Sequence, residues 1–126
     1  MTRQQKWAAG ALERVGRYCK KGQGEREYRT LCMKMPVLVK QSGLVQALAF
    51  VRARSELGRA FCADVACVYG LPEAGQQDAG RRLTKQAQDA PLPNYLALTR
   101  DLTAIAMWFR RFAQSELKAP EGDSDA

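Results

Sequence analysis

Apolar residues recur every three or four positions along most of this chain, which is the spacing of an amphipathic α-helix. Thr2 and Gln5 fit a capping box, so the first helix is predicted to begin there and to continue until Gly22. Its apolar face includes Trp7 and Val15. Six basic residues occupy the other face: Arg3, Lys6, Arg14, Arg17, Lys20 and Lys21.

A second stripe, from Tyr28 to Val39, predicts a second helix with a kink or a brief break at Pro36, because proline lacks an amide donor. The basic residues of this segment lie away from the stripe: Arg26, Arg29, Lys34 and Lys40. Gly43 marks a corner. The segment 44–54 that follows is apolar on almost every side, which is typical of a helix in the centre of a core.

Ser55 is suited to cap a fourth helix from Glu56 to about Tyr69, and the turn-forming segment 70–80 then predicts a mobile connection. A short helix over 81–88 precedes the longest helix, Tyr95 to Leu117, which Asn94 is expected to cap. The pattern therefore predicts an all-α fold, a single compact bundle of about five to six helices with a long C-terminal helix. This domain spans 1–119, and 120–126 is predicted to be a disordered acidic tail.

Charge is distributed unevenly over the 126 residues, whose formal net charge is +7. Residues 1–60 contain 13 Lys/Arg and 4 Asp/Glu, whereas residues 61–126 contain 7 Lys/Arg and 9 Asp/Glu. The basic surface belongs to the first half, and its most natural partner is a polyanion such as nucleic acid. The other interpretation is that the chain is simply a protein of high pI that binds no polyanion.

The sequence contains few residues that could carry out catalysis. The chain has no histidine, its acidic residues are scattered singly, and no phosphate-binding glycine motif is present. Asp101, the most core-like carboxylate, is expected to pair with an arginine of a neighbouring helix. We predict no enzyme activity, no metal, no cofactor and no small-molecule substrate.

The four cysteines form no C-x-x-C pair and are interpreted as small buried side chains in a reducing cytoplasm. No apolar run approaches the length that crosses a membrane.

The segment Tyr28–Phe50 resembles the signature of the small subunit of the type III-B CRISPR Cmr effector complex. The shared features are a tyrosine, the Lys34-Met35-Pro36 run, and the Ser42-Gly43-Leu44 corner that leads into a Leu-Ala-Phe helix. The early tryptophan and tyrosine of the first helix and the Trp-Phe-x-Arg-Phe run of the last extend the resemblance over nearly the whole chain before the acidic tail.

This resemblance implies a helical, non-catalytic subunit that takes part in antiviral defence. Such subunits stack in several copies as a minor filament, beside larger subunits that hold the guide RNA, and they contact the target RNA. The implied partners are other Cmr subunits, further copies of this chain, guide RNA and target RNA. Leu96 and Met107 are candidates for one of the two surfaces that head-to-tail stacking requires, or else are ordinary exposed side chains.

The residues predicted to contact phosphates come from the cationic faces of the helices: Arg14, Arg17, Lys21, Lys34, Lys40, Arg52 and Arg54. For each of them a solvated surface charge is the alternative. For the whole chain the alternative is a free-standing basic helical protein that binds DNA or acts as an adaptor. Against DNA binding, the helix that follows Gly43 is too apolar to lie in a major groove.

Overall fold

The computed structural model describes residues 1–71 and 78–119, which form an all-α bundle. Its elements are α1 (Arg3–Gly16), α2 (Gln23–Ser42), α3 (Leu44–Arg54), α4 (Glu56–Tyr69), α5 (Ala79–Asp89) and α6 (Leu92–Glu116). The prediction of an all-α bundle with a long last helix is confirmed. The predicted tail at 120–126 and most of the predicted connection at 70–80 lie outside the described residues.

The helix starts follow their capping side chains. Thr2 and Gln5 form the capping box at the start of α1, and the Ser55 hydroxyl accepts a hydrogen bond from the Gly58 amide at the start of α4. The N-cap of α6 is Pro91 rather than Asn94, so this helix begins three residues earlier than predicted. Pro93 is tolerated there because amides of the first helical turn have no intrahelical partner.

One other prediction about the helices is wrong, and of the kink or brief break predicted at Pro36 the break is not found. α1 ends at Gly16 instead of continuing to Lys21, and a turn takes its place. α2 continues through Pro36 as one helix of 20 residues. Proline has no amide hydrogen and cannot donate the helical hydrogen bond. Because Pro36 is buried, the packing of its ring offsets the loss of that bond.

Aromatic rings connect three helices in the centre of the bundle. Tyr28 of α2 meets Phe61 of α4 edge to face, with ring centroids 5.4 Å apart, and Phe61 meets Phe109 of α6 in the same way at 5.6 Å. All three side chains are fully buried. α6 packs along α1 and α2, while α4 and α5 pack against each other on the other side.

The approach of α3 to α4 requires a glycine. A Cβ atom at Gly58 would lie 2.0 Å from the backbone oxygen of Val51, which no side chain can accommodate. At the corner between α2 and α3, Gly43 has a φ of 84°, a conformation that favours glycine. The Tyr95 hydroxyl accepts a hydrogen bond of 3.3 Å from the amide of Val45, and this bond attaches the start of α6 to the corner.

Candidate nucleic-acid interface

Helix α2 forms the centre of a cationic surface. At 100° per residue, its exposed side chains other than Ser42, the last residue of the helix, lie within an arc of about 120°. Viewed along the helix axis, Lys34 and Lys40 lie at the two edges of this arc, and Arg26 lies between these edges. All three are exposed and make no ion pair with the described residues. Arg26 was not among the predicted contact residues, although the same helical spacing places it there.

Lys21 and Arg54 extend this surface at the first turn of α2. Lys21 is exposed in the turn just before the helix. Arg54, also exposed, is the last residue of α3, and the hydroxyl of the next residue, Ser55, donates a hydrogen bond of 3.0 Å to Glu27 of α2. α3 therefore runs back beside α2, and the end of α3 brings Arg54 to the start of α2. We call Lys21, Arg26, Lys34, Lys40 and Arg54 the cationic surface.

The spacing of the cationic surface follows from helix geometry. Lys34 lies seven residues beyond Glu27, or about 10 Å along α2, and Lys40 lies about 9 Å further. Positive charges therefore extend over roughly 20 Å from the first turn of α2 to its last. A row of separate cations of this kind suits an extended polyanion better than a single small anion.

Two of the predicted contact residues are occupied in long-range ion pairs. Arg14 bonds Asp64 of α4 at 3.0 Å, and Arg52 bonds Asp78 at 2.8 Å. Their side chains are only 20% and 21% exposed, respectively. The structure therefore gives both arginines a role in joining helices. Arg17 is exposed and pairs with Glu13 one turn before it, at 2.7 Å.

The electrostatics of the two partner carboxylates differ. Burial raises the pKa of Asp64 above its usual value, although hydrogen bonds from Tyr28 and Arg14 oppose that change. Burial also acts to raise the pKa of Asp78, but hydrogen bonds from Arg52 and from the Gly80 amide outweigh it, so that this pKa is lowered. Asp78 is also the N-cap of α5. One carboxylate therefore both caps this helix and pairs with Arg52.

Leu96 and Met107, the predicted interface residues, share one strip of α6. They are 11 residues apart, which is about 20° around a helix. Both are exposed, at 59% and 37%. Leu92, which is 68% exposed and one turn before Leu96, extends the apolar strip to the start of the helix. The three residues lie on one side of α6, but Leu96 and Met107 are about 16 Å apart along the helix, with Arg100 and Thr103 between them on the same side.

The described residues contain no cluster of metal-ligating side chains. Within 1–71 and 78–119, no three Cys, Asp or Glu side chains converge as metal ligands do, and no helix is long and apolar enough to cross a membrane. Asp101 pairs with Arg3 of α1 at 2.6 Å, which confirms the predicted carboxylate–arginine contact.

The four cysteines differ in exposure, and Cys67 is only partly buried. Cys32 and Cys62 are buried, and burial raises the pKa of the Cys62 thiol to about 12. Cys19, by contrast, is exposed because α1 ends before it, so the prediction that all four thiols are buried is wrong for this residue.

The fold and the surface together define a small, basic, all-helical protein with one cationic surface and one exposed apolar strip. The family model described as CRISPR-associated protein (Cas_Cmr5) matches residues 3–116. The chain therefore belongs to the Cas_Cmr5 family of CRISPR-associated proteins, which confirms the resemblance seen in the sequence.

Relatives of known sequence and structure agree with this assignment. The CRISPR system Cmr subunit Cmr5 of Thermus thermophilus is 47% identical over 115 residues, which cover 90% of this chain and 95% of that protein. The X-ray structure of a CRISPR-associated Cmr5 family protein, also from Thermus thermophilus, superposes with a TM-score of 0.84 at 45% identity. That superposition covers 94% of this chain and the whole of the other.

Proposed function

We propose that this chain is a non-catalytic structural subunit of a CRISPR Cmr complex in the cytoplasm. In this proposal, several copies stack as a minor filament and contact the target RNA through the cationic surface. The observation that carries the RNA contact is the row of exposed cations along α2, which have no ion-pair partner among the described residues. The assembly itself is supported by the 47% identical relative, whose name describes it as a Cmr subunit.

Direct contacts with phosphate are assigned to the five residues of the cationic surface and to Arg17. The ion pair of Arg17 with Glu13 is exposed, so it is worth little and can be exchanged for a phosphate. Arg14 and Arg52 add to the positive potential. Because both form half-buried ion pairs, their main role is to stabilise the fold. Binding through phosphates is expected to tolerate any RNA sequence.

Single-stranded RNA fits this surface better than the major groove of duplex DNA. α3, the helix that follows the Gly43 corner, buries Leu44, Leu48 and Val51 in the core and cannot serve as a recognition helix. The cations instead lie along one side of α2 and at the end of α3. A strand that follows α2 would meet them in succession, as in other sequence-tolerant single-strand grooves.

Stacking is assigned to the strip formed by Leu92, Leu96 and Met107. A head-to-tail filament needs two different surfaces on each copy, and an exposed apolar strip on the longest helix is suited to be one of them. Because the cationic surface belongs to α2 and α3, contact between copies through α6 would leave it accessible to RNA.

The test of this function is a purification of the tagged chain from its native host. Other Cmr subunits and guide RNA are expected to copurify with it. A chain that purifies alone, or with duplex DNA, would support the free-standing alternative instead. A tagged variant with Leu96 and Met107 both changed to Glu serves as the control, because it should recover fewer copies of the untagged chain.

A further inference from the structure

A groove lies where the bundle ends, between the turn after α1, the start of α2 and the end of α6. Its volume is about 560 Å³, and three cations line it: Lys20, Arg26 and Lys118. It also contains two carboxylates, Glu25 and Glu116. Glu25 is buried and accepts a hydrogen bond of 3.1 Å from the backbone amide of Lys118, so its negative charge is already engaged by the main chain.

This groove lies where the chain leaves α6. Leu117 is the C-cap of that helix and Lys118 is held against α2 by Glu25, so Ala119 emerges beside the groove. The next seven residues are Pro-Glu-Gly-Asp-Ser-Asp-Ala. Seven residues reach at most about 24 Å, which is ample for a groove that Leu117 and Lys118 line.

Charge complementarity identifies the occupant. The segment 120–126 carries Glu121, Asp123 and Asp125, and it has no large apolar side chain. The groove has three cations against two carboxylates, and the negative charge of one of these, Glu25, is engaged by the Lys118 amide. A tethered segment also has a high local concentration, on the order of millimolar for a short linker.

We infer that the acidic segment 120–126 docks in this groove of its own chain and competes with RNA for the nearby end of the cationic surface. The competition follows from shared residues: Arg26 belongs to both the groove and the cationic surface, and Lys21 immediately precedes the groove residue Gly22. Docking itself is independent of the proposed function, whereas the competition rests on it.

Cross-linking tests the docking, because Cys19 is an exposed thiol in the groove. In the full chain with Asp123→Cys, mild oxidation at low salt should form an intramolecular disulfide with Cys19, and Cys19→Ser should abolish it. The decisive comparison adds Glu121→Gln and Asp125→Asn to the same chain. This neutral segment has the same tether and should cross-link several-fold more slowly. Equal rates would overturn docking by charge, and a disulfide between two chains would identify a second copy as the occupant.

RNA binding tests the competition. Glu121→Gln with Asp123→Asn should tighten binding of a uridine-rich single strand by roughly three- to tenfold at low salt, with the difference shrinking as salt rises. Asp89→Lys is the matched control, since it changes the net charge equally, by two units, at an exposed carboxylate of α5. An equal gain in both variants would overturn the competition. If neither variant nor the parent binds RNA, the proposed function fails together with the competition, while the cross-linking result for docking still stands.

Discussion

The hydroxyl of Tyr28 donates a hydrogen bond of 2.7 Å to the carboxylate of Asp64, and both residues are buried. The same carboxylate accepts from Arg14 at 3.0 Å, so three helices, α1, α2 and α4, meet at one acidic side chain. Tyr18 stacks on the Tyr28 ring with centroids 3.8 Å apart and covers the cluster. This junction fixes α2, and with it the cationic surface, relative to the rest of the bundle.

Tyr28→Phe should therefore destabilise the protein by about 1–3 kcal/mol, because a buried carboxylate loses a donor and nothing replaces it. Urea unfolding measures the loss. Tyr69→Phe is the control: Tyr69 is only partly buried, and no hydrogen bond of its hydroxyl is found among the described residues. An equal effect of the two substitutions would refute the importance of the junction.

The lowered pKa of Asp78 predicts a dependence of stability on pH. A carboxylate whose pKa is lower in the folded state stabilises that state above the unfolded pKa, about 3.9, and the contribution is lost as pH falls through the folded pKa. Asp78→Asn should lower stability at neutral pH and make little difference at about pH 2. Asp64 has the opposite sign: its raised pKa means that the stability contributed by its protonated form declines as pH rises. Urea unfolding across this pH range would contradict the account if the Asp78→Asn deficit stayed constant.

Gly58→Ala should destabilise the fold by roughly 2–4 kcal/mol, since its Cβ would collide with the Val51 carbonyl and force α3 away from α4. The matched substitution is Gly16→Ala in α1, where a Cβ meets nothing within 4 Å. That change should be neutral or stabilising by up to about 1 kcal/mol. Thermal unfolding should therefore show a lower Tm for Gly58→Ala only, and an equal decrease in both variants would be inconsistent with the close approach.

Leu96→Glu together with Met107→Glu should reduce self-association without loss of the fold, because both side chains are exposed. Sedimentation velocity at rising concentration measures this. Leu12→Glu is the control, as Leu12 is 41% exposed on α1, outside the strip. Unchanged association of the double variant would remove α6 from the proposed stacking surface.

Local signals in the sequence predicted much of the fold. The capping box at Thr2, the cap at Ser55 and the pairing of Asp101 with an arginine are all found in the structure, because each depends on a few neighbouring residues or on a simple charge rule. The helical spacing also placed Lys34 and Lys40 correctly on the outer side of α2.

What sequence reasoning missed depends on contacts between distant residues. Arg14 and Asp64 are 50 positions apart, so nothing local indicated that this arginine is half-buried. Arg29 was placed outside the stripe of α2, yet it is 4% exposed, because the packing of neighbouring helices covers more of α2 than its apolar face. For the same reason the groove beside Lys118 could not be foreseen, since it combines residues 19–26 with residues 115–118.

The central claim is that the cationic surface holds RNA, and charge reversal tests it most directly. One variant changes Lys21, Lys34, Lys40 and Arg54 to Glu, and its control reverses four other exposed cations, Lys6, Arg59, Arg81 and Lys85 of α1, α4 and α5. Both carry the same change in net charge. The measurement is the affinity of the reconstituted complex for target RNA over a range of salt concentrations. The account predicts that the first variant alone loses affinity, with a log–log salt slope shallower by roughly 2–3. Equal affinities and slopes for the two variants would contradict it.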